Sequence, residues 1–282
     1  MSVATLRDLL HNAVQRLAEI SDTPRLDAEV LLAAALTHPR SYLHAWPERT
    51  LESAQAARFA VWLQRRLSGE PIAYILGRRE FWSLELEVTP DTLIPRPETE
   101  LLVELALARL PAHQRLAVAD LGTGSGAIAL ALALERPQTR IVAIDCSPAA
   151  LAVARRNAQR LGIAHVEFRE GDWYAPLASE RFDLMVSNPP YVAAADPYWQ
   201  RTELRFEPQA ALVAGTDGLD TLRVIVAQAP AYLKPDGWLL LEHGYDQGEA
   251  VPALLRERGF IEVSDYRDVA GLSRASCGRW PA

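Results

Sequence analysis

Lysine is almost missing from this chain: Lys234 is the only one in 282 residues, so nearly all the positive charge is carried by arginine. Codon bias accounts for that most simply. Cysteine is scarce too, and Cys146 and Cys277 cannot build a disulfide framework at this length, which points to a reducing compartment. The longest apolar run, Ala127 to Leu134, falls far short of the ~18 residues that cross a bilayer. Arg7, Asp8, Arg16 and Glu19 interrupt the first helical pattern, leaving no unbroken signal-peptide core. These shortages together point to a soluble cytoplasmic protein with no membrane association. The net charge of -7 argues against a protein that grips duplex DNA non-specifically, because neutralising phosphates supplies most of that affinity. No His/Cys/Asp/Glu group has metal-ligand spacing, so no metal is expected.

What the chain does have is length and apolar content: 49% hydrophobic residues over 282 positions predict about two domains. Leu6, Leu9, Leu10, Ala13, Val14 and Leu17 recur at helical spacing after Thr5, and Thr23-Pro24 offers an N-cap and first turn for a second helix, Arg25 to Leu36. A third helix is predicted from about Ser53 through Arg66. Residues 1–75 therefore read as an all-helical domain with nearly balanced charge, suited to substrate recognition. From Phe81 the period becomes two, with Trp82, Leu84, Leu86 and Val88 alternating with Ser83, Glu85 and Glu87; this predicts one arm of a hairpin in a linker over residues 76–95. Strand and helix signals alternate through residues 96–282, as a mostly parallel α/β sheet with helices on both faces requires.

Two motifs carry the chemistry. Phe182 to Ser187 reads as a buried strand that ends at Asn188-Pro189-Pro190-Tyr191, placing this tetrad at the strand's C-terminal edge, where doubly wound sheets bind ligands. The Asn188 side-chain oxygen and the Pro189 carbonyl can each accept one hydrogen bond from a planar NH2 group, and Tyr191 can stack on its plane. A Pro-Pro turn capped by Asn under an aromatic lid is the competing reading. Upstream, Leu116 to Ala131 reads strand, glycine turn, helix, with Gly122-Thr123-Gly124-Ser125-Gly126 in the turn. The spacing is G-x-G-x-G, not the dinucleotide G-x-G-x-x-G, and Asp120 stands two positions before it; a pyrophosphate is ill served by that carboxylate, whereas a sulfonium carrying an amino-acid tail tolerates it. Asp145 ends a second strand, Arg140 to Asp145, at the distance where a carboxylate grips ribose hydroxyls, though a helix N-cap before Ser147-Pro148 reads equally well. These signals favour S-adenosylmethionine over NAD.

Together with Gly171-Asp172-Trp173, these motifs resemble the class I methyltransferases that modify glutamine side chains. Gly69 to Gly77, Phe81-Trp82, Leu93 to Glu100, Arg205-Phe206-Glu207-Pro208 and Leu240 to Gly244 extend the resemblance, over essentially the whole chain, to the peptide chain release factor glutamine methyltransferases, the PrmC/HemK family. Glu98 stands where Asp is equally expected. The resemblance implies a Rossmann-like fold behind a helical domain and β-hairpin linker. It implies transfer of a methyl group from S-adenosylmethionine, leaving S-adenosylhomocysteine, to the side-chain nitrogen of a release-factor GGQ glutamine. It further implies that Asp172 and Trp173 lie against the adenine, that Gly122, Thr123, Gly124, Ser125, Gly126, Asp145 and Asn188 hold the cofactor, and that Asn188, Pro189, Pro190 and Tyr191 hold the substrate amide. A monomer that touches no nucleic acid is expected. Asn-Pro-Pro-Tyr also marks adenine-N6 and cytosine-N4 DNA methyltransferases, but no target-recognition insertion is present and the balance of charge is acidic. Methylation of a ribosomal-protein glutamine is the nearer alternative. Pro95-Arg96-Pro97-Glu98 suits a stiff lid or a linker. Glu207 and His243 can be read as an acid/base pair, but a structural role is expected for His243.

Overall fold

A computed structural model describes residues 4–197 and 203–282. They fall into two compact units, Met1–Gly77 with Tyr198–Phe206, and Arg78–Pro197 with Glu207–Ala282. The first unit is helical: α1 (Leu6–Leu17), α2 (Pro24–Leu36), α3 (Ser41–Ala45), α4 (Ser53–Leu67) and α5 (Ile72–Leu76). Leu6, Leu17, Leu31, Leu32, Phe59 and Leu63 pack its core. Thr5 caps α1 as its sequence position suggests, in a reciprocal box in which its hydroxyl accepts from the Asp8 N–H and the Asp8 carboxylate accepts from the Thr5 N–H. Thr23 does not cap α2. Its hydroxyl turns instead toward Asp27, which also accepts from Ser21 and from the buried Arg66 of α4 at 2.7 Å.

In the second unit the hairpin comes first, β1 (Arg78–Phe81) and β2 (Leu84–Glu87), with Trp82 and Ser83 forming its two-residue turn at φ 51° and 58°. The strand expected to run through Trp82 is thus two strands. Left-handed turns of this kind favour Asn and Gly, and here the position is held by contacts: Glu100 accepts from the Trp82 backbone N–H and Glu135 from its indole. Phe81, Leu84, Leu86 and Val88 are buried. There follow α6 (Glu100–Arg109), β3 (Ala117–Leu121), α7 (Ala127–Glu135), β4 (Arg140–Asp145), α8 (Pro148–Arg160), β5 (Val166–Glu170), β6 (Phe182–Ser187), α9 (Asp220–Gln228), β7 (Leu233–Glu242), α10 (Ala250–Arg258), β8 (Ile261–Arg267) and β9 (Ser273–Arg279).

Seven of these strands form one sheet in the order β5-β4-β3-β6-β7-β9-β8. The first five are parallel, and β9 and β8 are antiparallel to their neighbours. Alternate residues serve opposite cores. Val118, Ile141, Ala143 and Leu240 join the layer of α6 and α7, while Ala119, Val142, Ile144, Leu239 and Leu241 join that of α9 and α10. Cover on both faces is why these strands are apolar throughout. The expected α/β architecture, a mostly parallel sheet behind a helical region, is the observed one. From β3 the chain runs outward through β4 to β5, then crosses back to β6 on the other side of β3. The strand order therefore switches between β3 and β6, and it is beyond the C-terminal strand ends at such a switch that sheets of this kind have their ligand crevice.

Candidate active site

The glycine turn occupies one wall of that crevice. Gly122, Gly124 and Gly126 have φ of 74°, 57° and 86°, a backbone region costly to residues with a Cβ. The three differ in surroundings. A Cβ on Gly126 would stand 3.1 Å from Leu130 and 3.2 Å from Ala154, one on Gly122 would stand 3.4 Å from the Trp173 ring, and one on Gly124 would meet nothing within 4 Å. Gly126 lets α7 pack closely, and Gly124 faces open space. Asn157 of α8 braces the turn from behind by donating to the Ser125 carbonyl, while also bonding the backbone of Glu87 in the hairpin.

Asp145, at the end of β4, accepts from the Gly124 N–H at 2.8 Å and from the Ser147 N–H at 2.9 Å. It is not the N-cap of α8; Ser147 is, with its hydroxyl accepting from the Ala150 N–H. Burial raises the Asp145 pKa. The loop after β5 is tied to the same strand end, because the Gly171 N–H donates to the Asp145 carbonyl. It brings up the exposed Asp172 and the half-buried Trp173, whose φ of 44° is unusual for so large a residue. Burial and the charges of Asp145 and Asp172 raise the Cys146 thiol between them. Asp120 lies deeper. It is fully buried, and one oxygen accepts from the Thr123 hydroxyl at 2.7 Å and the Ala129 N–H at 3.2 Å, while Oδ1 has no partner among the described residues. Burial pushes it up to about 7.

The tetrad forms the other wall. Register pairs Leu121 with Ser187, and the buried Ser187 hydroxyl donates to the Leu121 carbonyl at 2.6 Å, so Gly122 and Asn188 each begin one residue beyond a fixed pair on adjacent strands. The Asn188 side-chain NH2 donates to the Thr99 hydroxyl at 3.0 Å, and the Tyr191 hydroxyl donates to Glu242 Oε1 at 3.1 Å. Pro189 is buried; Asn188, Pro190 and Tyr191 are half-buried. Burial and the neighbouring Glu242 raise the Tyr191 pKa, so its hydroxyl is a donor at physiological pH. Sequence reasoning overlooked Thr99 and Glu242, although an acid closing the apolar run Trp238 to Leu241 is a signal of a buried carboxyl with a task.

The fold thus gathers the glycine turn, Asp145, Asp172 and Trp173 at the ends of β3, β4 and β5, and Asn188 to Tyr191 beside them at the end of β6. Glu207 and His243 stand apart in role. Glu207 accepts from the Ile94 N–H and pairs with Arg96, pinning the proline-flanked segment, while the buried His243 bonds the Gly244 carbonyl and the Ser276 hydroxyl. They do not meet as an acid/base pair. Among the described residues no group of His, Cys, Asp and Glu gathers as metal ligands, and no helix is long and apolar enough to cross a membrane.

Residues 8–77 match the model of the PrmC N-terminal domain and residues 98–207 that of the methyltransferase small domain. A release factor glutamine methyltransferase of Pseudomonas aeruginosa is 55% identical over 265 residues, which cover 93% of this chain and 96% of that one. The chain belongs to the release factor glutamine methyltransferase family. A release factor glutamine methyltransferase of Coxiella burnetii is 49% identical over 98% of this chain and 99% of its own length. Among solved structures, a methyltransferase from Pyrococcus furiosus shares the fold, with a TM-score of 0.54 at 18% identity over 82% of this chain and 100% of that one. Family membership covers both units, the helical one as well as the sheet.

Proposed function

We propose that this chain transfers a methyl group from S-adenosylmethionine to the side-chain amide nitrogen of the GGQ glutamine in peptide chain release factors, supporting translation termination. The observation that carries the reading is the register of β3 and β6, which sets the glycine turn and the tetrad side by side at the switch point. Membership of the family supports the substrate. The crevice residues fit the cofactor: Gly124 faces open space, Asp145 has lone pairs for ribose hydroxyls, and the Trp173 ring lies over the Gly122 turn beside Asp172, where an adenine face can be covered. The buried, unpartnered oxygen of Asp120 suits a site that takes a cation. When bound, S-adenosylmethionine supplies an electrophilic methyl on its sulfonium and leaves as S-adenosylhomocysteine.

The chain's own residues must overcome a poor nucleophile, since an amide nitrogen shares its lone pair with the carbonyl. Because the Asn188 NH2 is committed to Thr99, its oxygen is the end available to accept a substrate N–H. The Pro189 carbonyl accepts the second N–H and Tyr191 packs on the amide plane, so the nitrogen is held with its lone pair free. Orientation of this kind acts in the transition state and supplies much of the acceleration. With S-adenosylmethionine bound, the N–C bond would form as the C–S bond broke, and the proton would leave the nitrogen after transfer, once its positive charge had made it acidic. No general base is needed. The protein acts as a soluble cytoplasmic monomer on a protein partner, without nucleic acid. Mass spectrometry of purified release factor incubated with this protein and S-adenosylmethionine tests the reading: one added methyl on the GGQ glutamine is expected. Methyl transfer to plasmid DNA or ribosomal protein with release factor left unmodified would overturn it.

A further inference from the structure

Tyr191 is held at both ends. Its hydroxyl donates to Glu242, and its backbone carbonyl accepts from the side-chain NH2 of Gln247 at 3.1 Å. Gln247 lies in the turn between β7 and α10 and is only 7% exposed, although glutamine is mostly a surface residue. The other end of its amide is committed as well: Oε1 accepts from the Gly244 N–H at 2.9 Å, and the Gln247 backbone N–H returns to the Gly244 carbonyl at 2.9 Å. Strands β6 and β7 pair as far as Ser187 and Leu241, and beyond that pair this one side chain ties the last residue of the tetrad to the turn that follows β7. Because an N–H needs an acceptor and a carbonyl needs a donor, the Gln247 amide can lie only one way round. Gly218 makes room for the bond. Its φ is 75°, and a Cβ there would overlap the Tyr191 carbonyl oxygen and stand 2.9 Å from Gln247 Nε2.

We propose that Gln247 is a positioning residue for methyl transfer, which by donating to the Tyr191 carbonyl fixes where the Tyr191 ring lies against the substrate amide. It acts through Tyr191. The hydroxyl bond to Glu242 alone would leave the residue free to swing about that far end; a second bond at the backbone end leaves it one position. Position matters because the amide is a weak nucleophile, and a misplacement of ~1 Å can cost about 10²-fold in rate. The inference rests on the proposed packing of Tyr191 on the substrate amide. The bond also has a polarity that a substitution can reverse. A glutamate in place of Gln247 would, when ionised, set an acceptor against the Tyr191 carbonyl; protonated, it would offer one donor and one acceptor, the pair that Gln247 uses. Burial holds such a carboxyl above the usual carboxylate range, so it takes up its proton and regains the bond as pH falls.

Single-turnover methyl transfer to purified release factor, at saturating S-adenosylmethionine and release factor, tests this in the full-length protein. Gln247→Glu should be slower than wild type by roughly 10–100-fold at about pH 9, the loss typical of a displaced reacting group, while S-adenosylhomocysteine affinity by calorimetry stays close to wild type. Its rate relative to wild type should climb several-fold as pH is lowered to about 6. Glu242, pushed up to about 7 by burial, titrates in both proteins, so taking the ratio removes its effect. Gly218→Ala, which displaces the Tyr191 carbonyl by bulk, should lose a similar factor with no such recovery. In a Tyr191→Ala background Gln247→Glu should cost nothing further, because both act through one ring. A wild-type rate in Gln247→Glu or Gly218→Ala, a Gln247→Glu deficit that does not change with pH, or losses that multiply in the double variant would overturn the inference. Wild-type transfer by Tyr191→Ala would overturn the packing of Tyr191 on the substrate and this inference with it, whereas a slow Tyr191→Ala beside an unimpaired Gln247→Glu would sink only the inference.

Discussion

At the ends of β3, β4 and β5 the crevice is shaped by backbone, with three glycines at positive φ, an N–H given to Asp145 and a loop tied to the Asp145 carbonyl, whereas at the ends of β6 and β7 it is shaped by side-chain hydrogen bonds, Asn188 to Thr99 and Tyr191 to the buried Glu242. The backbone side offers space and acceptors, as binding a large ligand requires. The side-chain side offers one fixed orientation, as aligning a weak nucleophile requires. Substitutions on the two sides should therefore separate affinity from rate.

The largest expected effect lies on the tetrad side. Asn188→Ala removes the acceptor that faces the substrate N–H and should slow single-turnover transfer by about 10²–10³-fold, the usual loss of one preorganised polar partner. Asn188→Asp keeps an acceptor and should retain part of the rate. Both should bind S-adenosylhomocysteine nearly as wild type does. A wild-type rate in Asn188→Ala would return the tetrad to a capped turn.

Asp145 is the counterpart on the backbone side. Asp145→Ala should weaken S-adenosylhomocysteine binding by roughly 10-fold or more, the worth of a charged hydrogen bond of about 1.5–3 kcal/mol, while the rate at saturating cofactor stays near wild type. Because Asp145 accepts from the Gly124 N–H on Oδ2 and from the Ser147 N–H on Oδ1, Asp145→Asn removes the charge but keeps an acceptor for only one of them, and should lose less affinity than Asp145→Ala. Calorimetry together with single-turnover rates decides. A rate loss with unchanged affinity would mean that the two sides are not separable.

Much of this arrangement is legible in the sequence because it is local. Phe182–Ser187 and Arg140–Asp145 are strands with the bounds their apolar runs indicate, and the glycine spacing marks the turn between β3 and α7. The hairpin turn was hidden because Trp82, although in the turn, continues the alternation of Leu84, Leu86 and Val88, and Trp82-Ser83 carries no turn signature. Thr99 and Glu242 were hidden for a different reason: they reach the tetrad from segments far apart in sequence and meet it only through the sheet order. Capping at Thr23 failed where Asp27, itself held by Arg66, competed for the hydroxyl.

The smallest expected effect distinguishes two glycines within the same turn. Gly124 and Gly126 both have positive φ, so alanine at either should cost about 1–2 kcal/mol of backbone strain. Only Gly126 adds crowding, since its Cβ would press on Leu130 and Ala154 between α7 and α8, whereas a methyl on Gly124 would point into open space. Urea unfolding of the ligand-free proteins should therefore show Gly126→Ala less stable than Gly124→Ala by about 1 kcal/mol, the low end of overpacking costs. Ligand binding should rank them the other way, with Gly124→Ala losing more affinity for S-adenosylhomocysteine because its methyl occupies the space the ligand would enter. Equal affinity losses in the two variants would move the cofactor away from Gly124, and equal stability losses would mean that α7 yields to the added methyl without cost.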